Sequence, residues 1–462
     1  MENLESTINF IRNILRKEGI TGMESINHCI VFLICRMLNE EMCEKVNISK
    51  QFAFDNILKD EDDNKKEVGN QDLFDKIYIR NSDTINLVGE LVNKLGFRNI
   101  KFKLEGVQNL RLIIDKLKNI DVHKLATKFD LIGTIYELHL KSGTSNSLRD
   151  LGQYYTNRLV IKYMIELCKP TMKNGEIEKI VDPTMGTGGF LTMSIKYLND
   201  KYKNINWSKN KNNIMGFDID ENVRNMALMN IFLEIGELNN ETIYKQDTLH
   251  SDMKFKDCNI LKKADIILAN EPMGLKNIVY NNCCERIKKL KIKGTKAEPL
   301  FLQLFMNALD KGGRCAVIIP DGMLFNNNNL YIGTRKYLME HFNLKKVISL
   351  NDDFFLNTGV KTSILFFKNT GYQTEEVEFS EIKLKNNELE EKSILKVNID
   401  EIEKNNYSLF INKYTAEIIK KIEDIEYKKI NEICEFLPKS KHNASFGKDE
   451  GLYNFYTSSQ TK

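Results

Sequence analysis

Four short segments place polar or flexible residues where a bound molecule could use them. The first, VDPTMGTGGFL, ends an apolar run at Asp182 and follows it with Gly186, Gly188 and Gly189 before a helical stretch. Glycines in such a turn let the backbone approach a ligand and aim the amides of a helix N-terminus at it. The spacing departs from the dinucleotide pattern G-x-G-x-x-G, because Leu191 stands where the third glycine would fall, and a nucleoside without a pyrophosphate suits the loop better. In the second segment, GFDID, Asp218 sits at the tip of another apolar run, where a carboxylate can accept from both ribose hydroxyls. The third, YKQDTL, puts Asp247 after a further short run, positioned to accept from the exocyclic amine of an adenine ring. The fourth, IILANEPMG, ends at Asn270 and continues through Glu271, Pro272 and Met273. One acid at a strand end often does no more than cap the next helix. Several such ends in order point to a shared site.

The elements that must position these residues are legible in the same pattern. IEKIVD, NIMGFDI, ADIILAN and RCAVIIP are β-rich runs, each followed by a helical stretch or a long loop, and LKKVISL and TSILFFK come later. Strands alternating with helices require crossover connections, so residues 146–371 are expected to form an α/β domain with a doubly wound, mostly parallel sheet and helices on both faces. Ligands of such sheets lie outside the carboxyl ends of the strands, where the four segments fall. Residues 1–145 read as a helical domain, with Ile8, Ile11, Ile14 and Leu15 and then Ile26, Ile30, Leu33, Ile34 and Met37 at helical spacing. The charged run Lys59 to Lys66 reads as a solvated loop inside it. Residues 372–429, rich in Lys, Glu and Asn, read as a connector with helical patches such as Ala416 to Ile425. A new pattern opens at 430–462, too short to build a core of its own.

Eight segments occur in order: GQYYTNR (Gly152 to Arg158), DPTMGTGGFL, GFDID, QDTL, LANEPMG, PLFLQ, GGRCAVIIPDGMLF and TGVKTSILFF. Together they resemble the modification subunit of type I restriction-modification systems, a family of DNA adenine N6-methyltransferases, across residues 120–415. The resemblance implies a Rossmann-like methyltransferase domain behind an all-helical one, with S-adenosyl-L-methionine as cofactor. It implies that Gln153, Tyr154, Tyr155 and Thr156 close over the cofactor, the last two near its methionine moiety. By the same resemblance Asp182, Gly186, Thr187 and Gly188 surround the methionine end, Asp218 takes the ribose, and Asp247 takes the adenine. Asn270 and Pro272 match two positions of the family's Asn-Pro-Pro-aromatic tetrapeptide, in which the Asn oxygen and a proline carbonyl accept from the flipped adenine amine and the aromatic ring stacks on the base.

The tetrapeptide departs from that pattern at two positions. Glu271 replaces the first proline, which restores an N–H, frees φ and leaves the neighbouring carbonyl less rigidly placed. Met273 replaces the aromatic residue and gives up stacking worth about 1–3 kcal/mol per base. A carboxylate at Glu271 is alternatively an acceptor for the amine hydrogens or a stabiliser of charge developing on nitrogen. Two readings follow: a site-specific DNA adenine methyltransferase, or an impaired cofactor-binding, DNA-binding or assembly subunit. A nicotinamide-dependent dehydrogenase is disfavoured by the glycine spacing. GQYYTN also carries Asn157 where the family usually has proline.

Partners are sought in charge and composition. With 67 Lys and Arg against 64 Asp and Glu, the net charge of +3 announces no polyanion, so only a local patch can. Arg286, Lys288, Lys289, Lys291, Lys293 and Lys296 form such a stretch and are the candidate contacts to double-stranded DNA, against the plain reading of a solvated charge run. The segment Ile430 to Ser459, with ICEF and YNFYTSS, resembles the opening of a target recognition domain from the specificity subunit of the same systems. It implies a specificity subunit, or the rest of that domain, as partner, and a restriction subunit as a further one. No G-x-x-x-x-G-K-[ST] loop is present, which assigns any translocation and cleavage elsewhere. Six dispersed histidines offer no metal-ligand spacing, and no metal is expected. Nine scattered cysteines fit a reducing compartment, and no apolar run approaches the ~20 residues that span a bilayer. A soluble, cytoplasmic protein is the expectation.

Overall fold

The computed structural model describes residues 2–45, 107–121, 156–236, 241–250, 263–350, 360–385, 388–415 and 430–435, with isolated positions at 49–50, 53–54, 133–135, 239, 354 and 428. Residues Met1–Ile411 form one compact unit and Asn412–Lys462 a second, in which the short helices Asn412–Thr415 and Ile430–Ile433 are described. The expected helical patch at 416–425, the charged run at 59–66 and nearly all of the expected recognition segment lie outside the described residues.

Near the N-terminus, the helices Glu2–Lys17, Gly22–Met37 and Val107–Lys118 follow the apolar stripes of the sequence. Leu4, Ile8, Ile11 and Leu15 on the first, Ile26 and Ile30 on the second, and Leu110, Ile113 and Leu117 on the third are all buried in one core. Met226, Met229 and Phe232, from the helix Glu221–Ile235 of the sheet region, belong to that same core. The helical region is thereby anchored on a helix that also helps hold the ligand loops.

A nine-stranded sheet dominates the rest. Its strands are β3 (Ile180–Asp182), β4 (Ile214–Asp218), β5 (Ile243–Lys245), β6 (Ala264–Asn270), β7 (Leu309–Pro320), β8 (Asn343–Leu350), β9 (Thr362–Lys368), β10 (Glu376–Lys385) and β11 (Glu388–Asn398). A separate two-stranded hairpin joins β1 (Met172–Lys173) to β2 (Glu176–Ile177). The spatial order is β11-β10-β8-β9-β7-β6-β3-β4-β5. Pairing is parallel from β5 across to β7 and between β8 and β10, and antiparallel where β9 inserts between β7 and β8 and where β10 meets β11.

The chain builds outward from β3 to β5 and then returns to lay β6 on the other side of β3. That reversal opens a crevice at the carboxyl ends of β3 and β6. Parallel strands covered on both faces read as unbroken apolar runs, and Ile266, Ile267, Leu268 and Ala269 on β6 are accordingly all buried.

One segment departs from the sequence expectation. Residues 376–398, read as connector, form β10 and β11 at the edge of the sheet. Their alternation is hard to see because Phe379 and Ser380, adjacent on β10, are both buried between Val377 and Ile382, and because Ile394 bulges out of the pairing of β11 with β10. The outermost strand, β11, is mostly exposed and carries Glu388, Glu390, Glu391, Lys392 and Lys396, charges that blunt an open edge against pairing with another chain. Helical structure resumes at Ile399–Lys404.

Candidate active site

The loop after β3 is held from both sides. Asp182 is fully buried; its Oδ1 accepts the Thr184 N–H at 3.0 Å and its Oδ2 has no partner. Burial pushes this carboxyl well above the usual carboxylate range, and the nearby Asp218 adds to the effect. The Met185 N–H donates to the Phe217 carbonyl of β4 at 2.9 Å, laying the loop across that strand. Close approach explains Gly216 in GFDID: a Cβ there would stand 2.4 Å from the Met185 sulfur and 2.7 Å from Leu191 Cδ1. Gly188, at φ +80°, caps the helix Gly189–Lys201, and its own Cβ would meet Ala227 Cβ at 3.0 Å. The Thr187 carbonyl accepts from Asn230 Nδ2 at 2.9 Å.

At the tip of β4 the two acids of GFDID divide the work. Asp220 caps the next helix, accepting the Asn222 and Val223 N–H groups at 2.7 and 3.2 Å. Asp218 borders the cavity, accepting the Gly186 N–H at 3.2 Å and the Asp220 N–H at 2.8 Å. Burial outweighs those donors and pushes its carboxyl up to about 7. After β5, Asp247 accepts the Leu249 N–H at 2.9 Å, and the Thr248 hydroxyl donates to the Pro183 carbonyl at 3.1 Å, so this strand end is tied to the loop after β3.

Asn270, the last residue of β6, is oriented by its neighbours. Its Nδ2 donates to Thr156 Oγ1 at 3.1 Å, and its carbonyl accepts from the Thr184 hydroxyl at 3.1 Å, while its buried Oδ1 has no partner. Glu271 is 1% exposed with neither carboxyl oxygen hydrogen-bonded, and burial, reinforced by the Glu298 charge, pushes it well above the usual range. Glu298, at the start of the helix Ala297–Ala308, accepts the Gly274 N–H at 2.8 Å and so fixes where the chain goes after the tetrapeptide.

A cavity of about 210 Å³ gathers these ends. Of the residues expected from the sequence, Thr156, Gly186, Thr187, Asp218, Asp247, Asn270, Glu271 and Pro272 line it. Asp182 is buried beneath the loop, and Gly188 contributes the turn. Met273 does not line the cavity; it packs in the core with Leu268 and Ile348. Gln153, Tyr154 and Tyr155 lie outside the described residues. The basic stretch is split. The Arg286 guanidinium donates to the Asn307 carbonyl at 3.0 Å, and Lys288 pairs with Glu285 at 3.1 Å, whereas Lys289, Lys291 and Lys293 are exposed.

The lining residues not singled out from sequence include Arg158, Thr184, Ile219 and Phe301. Arg158 and Phe301 stand inside segments already noted, GQYYTNR and PLFLQ. Arg158 is half-buried, donates to the Thr156 carbonyl at 3.0 Å and is pushed down to about 9 by loss of hydration. Ile219 is 64% exposed beside Asp218, an apolar surface at the rim of the cavity. Asn157 has a local role: its side chain accepts the Leu159 N–H at 2.9 Å and caps the helix Arg158–Cys168.

The cavity suits a nucleoside-bearing cofactor. The carboxyls of Asp218 and Asp247 line it, and neither Gly216 on β4 nor Gly188 in the loop has room for an added Cβ.

Comparison with known proteins identifies the family. The model of the N-6 DNA Methylase family matches residues 127–396, more than half of the chain. The chain is 25% identical over 368 residues to the methylase subunit of the type I restriction enzyme EcoKI of Escherichia coli (strain K12), covering 76% of this chain and 64% of that protein. It is 30% identical over 259 residues to the EcoEI methylase subunit of Escherichia coli, covering 55% and 50%. The chain thus spans less than two thirds of the length of these relatives. Among solved structures, the methyltransferase subunit of a type I restriction-modification system from Streptococcus thermophilus has the same fold, with a TM-score of 0.60 at 18% identity over 89% of this chain and 98% of that one.

Proposed function

The chain belongs to the N-6 DNA Methylase family, and from that premise we propose that it transfers a methyl group from S-adenosyl-L-methionine to N6 of an adenine flipped out of double-stranded DNA, as the modification subunit of a restriction-modification system. The observation that carries this reading is the state of Asn270: Thr156 holds its amide nitrogen, and its buried oxygen is left as an acceptor bordering the cavity that Asp218 and Asp247 also line.

When bound, the cofactor supplies an electrophilic methyl on a sulfonium. The residues of the chain do the positioning. Asp218 accepts from the ribose and Asp247 from the adenine amine of the cofactor, with Gly186 and Thr187 against its methionine end. Arg158 is a further cofactor contact in this reading. The Asn270 oxygen accepts from the target amine and turns the nitrogen lone pair toward the methyl, so that holding and aligning the two reactants accounts for most of the acceleration. The methylated amine would lose its extra proton to solvent, since the Asn270 oxygen is a hydrogen-bond acceptor and not a base.

Asn270→Ala is expected to leave cofactor affinity within about twofold and to cut methyl transfer by about 100-fold or more, as loss of one preorganised polar group does. Transfer from labelled cofactor to adenine-rich DNA, with a specificity subunit supplied, checks it. Retained turnover in Asn270→Ala would remove the proposal.

A specificity subunit, a restriction subunit and double-stranded DNA are the proposed partners, and 430–462 is proposed as the opening of a recognition domain. A second reading, a cofactor-binding subunit without turnover, is favoured by Met273, which packs in the core and leaves the cavity without the family's stacking ring at that position. Phe301, one turn after Glu298, lines the cavity together with Phe190 and Phe217.

A further inference from the structure

Glu271 is the feature that neither reading uses. A carboxyl buried to 1% exposure is ordinarily held by N–H donors or a cation, because an ionised group without them loses its hydration uncompensated. Here neither oxygen has a partner, and among the described residues the charged group acting on it is a second carboxyl, Glu298, from the facing helix. Cys315 of β7 and Tyr331 of the helix Asn329–His341 lie close enough to feel its charge, and neither is a cation. Such surroundings favour the protonated acid, which offers one O–H donor and one carbonyl acceptor side by side. Glu271 also lines the cavity, directly after the acceptor Asn270.

An aminopurine presents the matching pair: the N–H of its amino group next to a ring nitrogen acceptor. We infer that Glu271 is a base-reading residue, its carboxyl accepting from the adenine amino group and donating to the adjacent ring nitrogen while the Asn270 oxygen takes the second amino hydrogen. The tetrapeptide then replaces ring stacking and a proline carbonyl with a two-point hydrogen-bonded grip. The inference rests on the proposed transfer to adenine, since it assigns a base to the same cavity. Glutamine is the informative substitution, because its amide carries the same acceptor and donor and does not titrate.

The test uses the full chain saturated with S-adenosylhomocysteine. Binding is measured to a single-stranded oligonucleotide carrying one adenine, and to counterparts with 1-deazaadenine or 7-deazaadenine at that position. Glu271→Gln is expected to stay within about threefold of the parent, and Glu271→Leu to bind roughly tenfold more weakly, the loss of a buried hydrogen-bond pair. One of the two deaza bases should weaken the parent and Glu271→Gln alike and leave Glu271→Leu unchanged. Infrared difference spectra should show a carboxylic-acid carbonyl band that is absent in Glu271→Gln and moves when the adenine oligonucleotide binds. Equal binding by the parent, Glu271→Gln and Glu271→Leu overturns the inference, as does the absence of that band or tighter binding by Glu271→Pro. Cofactor affinity is measured alongside: its loss in the parent sinks the methyltransferase reading itself, whereas intact cofactor binding with indifference to position 271 sinks this inference alone.

Discussion

At the scale of single residues, burial raises three carboxyls of the site, Asp182, Asp218 and Glu271, above the usual range. Asp218 is the clearest case. Its carboxyl is raised to about 7 by burial, so the stability tied to its protonated form is fully present below the usual Asp range and is lost as pH rises through about 7. The ionised form is also the better acceptor for ribose hydroxyls. Affinity for S-adenosylmethionine is therefore expected to rise as pH increases toward 7 and to level off above it, with Asp218→Asn weaker and flat across the same window. Calorimetric titration at several pH values checks this, and a parent protein whose affinity ignores pH there would contradict the assignment. Glu271 differs because no backbone donor reaches it, and Asp182 because it lies beneath the loop.

At the scale of elements, the ligand loops are positioned by close contacts that leave no tolerance for added atoms. The loop after β3 lies on β4 only because Gly216 has no side chain, and the turn at Gly188 meets the helix Glu221–Ile235 at Ala227. Gly216→Ala is expected to cost about 1–3 kcal/mol, typical of overpacking in a filled core, and to weaken cofactor binding as well, because Met185 and Leu191 must move and Gly186 moves with them. Denaturant unfolding with and without cofactor measures both effects. Unchanged stability would mean that the loop repacks freely. A similar logic ties Thr156 to Asn270: the start of the helix Arg158–Cys168, capped by Asn157, carries the hydroxyl that orients the amide at the end of β6. Proline is not needed at position 157 because an asparagine side chain supplies the cap.

For the whole molecule, the question is how a chain with a net charge of +3 meets DNA. Arg286 and Lys288 are engaged within the fold, so the proposed phosphate contacts are the exposed Lys289, Lys291 and Lys293. Contacts of that kind carry no sequence information. Binding by this chain alone is expected to fall steeply with salt and to vary little with sequence. Replacing the three lysines by alanine should reduce the slope of log affinity against log salt by up to about 0.9 for each phosphate no longer neutralised. Filter binding or fluorescence anisotropy over a salt series reads the slope. A salt-resistant preference for one sequence would assign recognition to residues other than these.

Much of the protein was legible before folding. The six apolar runs between residues 177 and 368 all became strands, since a run buried on both faces needs no neighbour to declare itself. The glycine turn and the acids after β4 and β5 could be found because ligand sites of such sheets recur at strand ends. Tertiary structure decided the rest. Glu- and Lys-rich residues 376–385 and 388–398 joined the sheet because β8 offered an edge to pair with, which no local pattern reveals when neighbours such as Phe379 and Ser380 are both buried. Asp218 faces the cavity while Asp220 caps a helix, although the two look alike in GFDID. Met273, just past β6, went to the core, while Phe301 on the helix Ala297–Ala308 lines the cavity, and only the packing of the folded chain decides which ring or thioether faces the site. Above all, the protonation of Glu271 depends on burial beside Glu298, a residue 27 positions away in sequence, and only the folded chain brings those two carboxyls together.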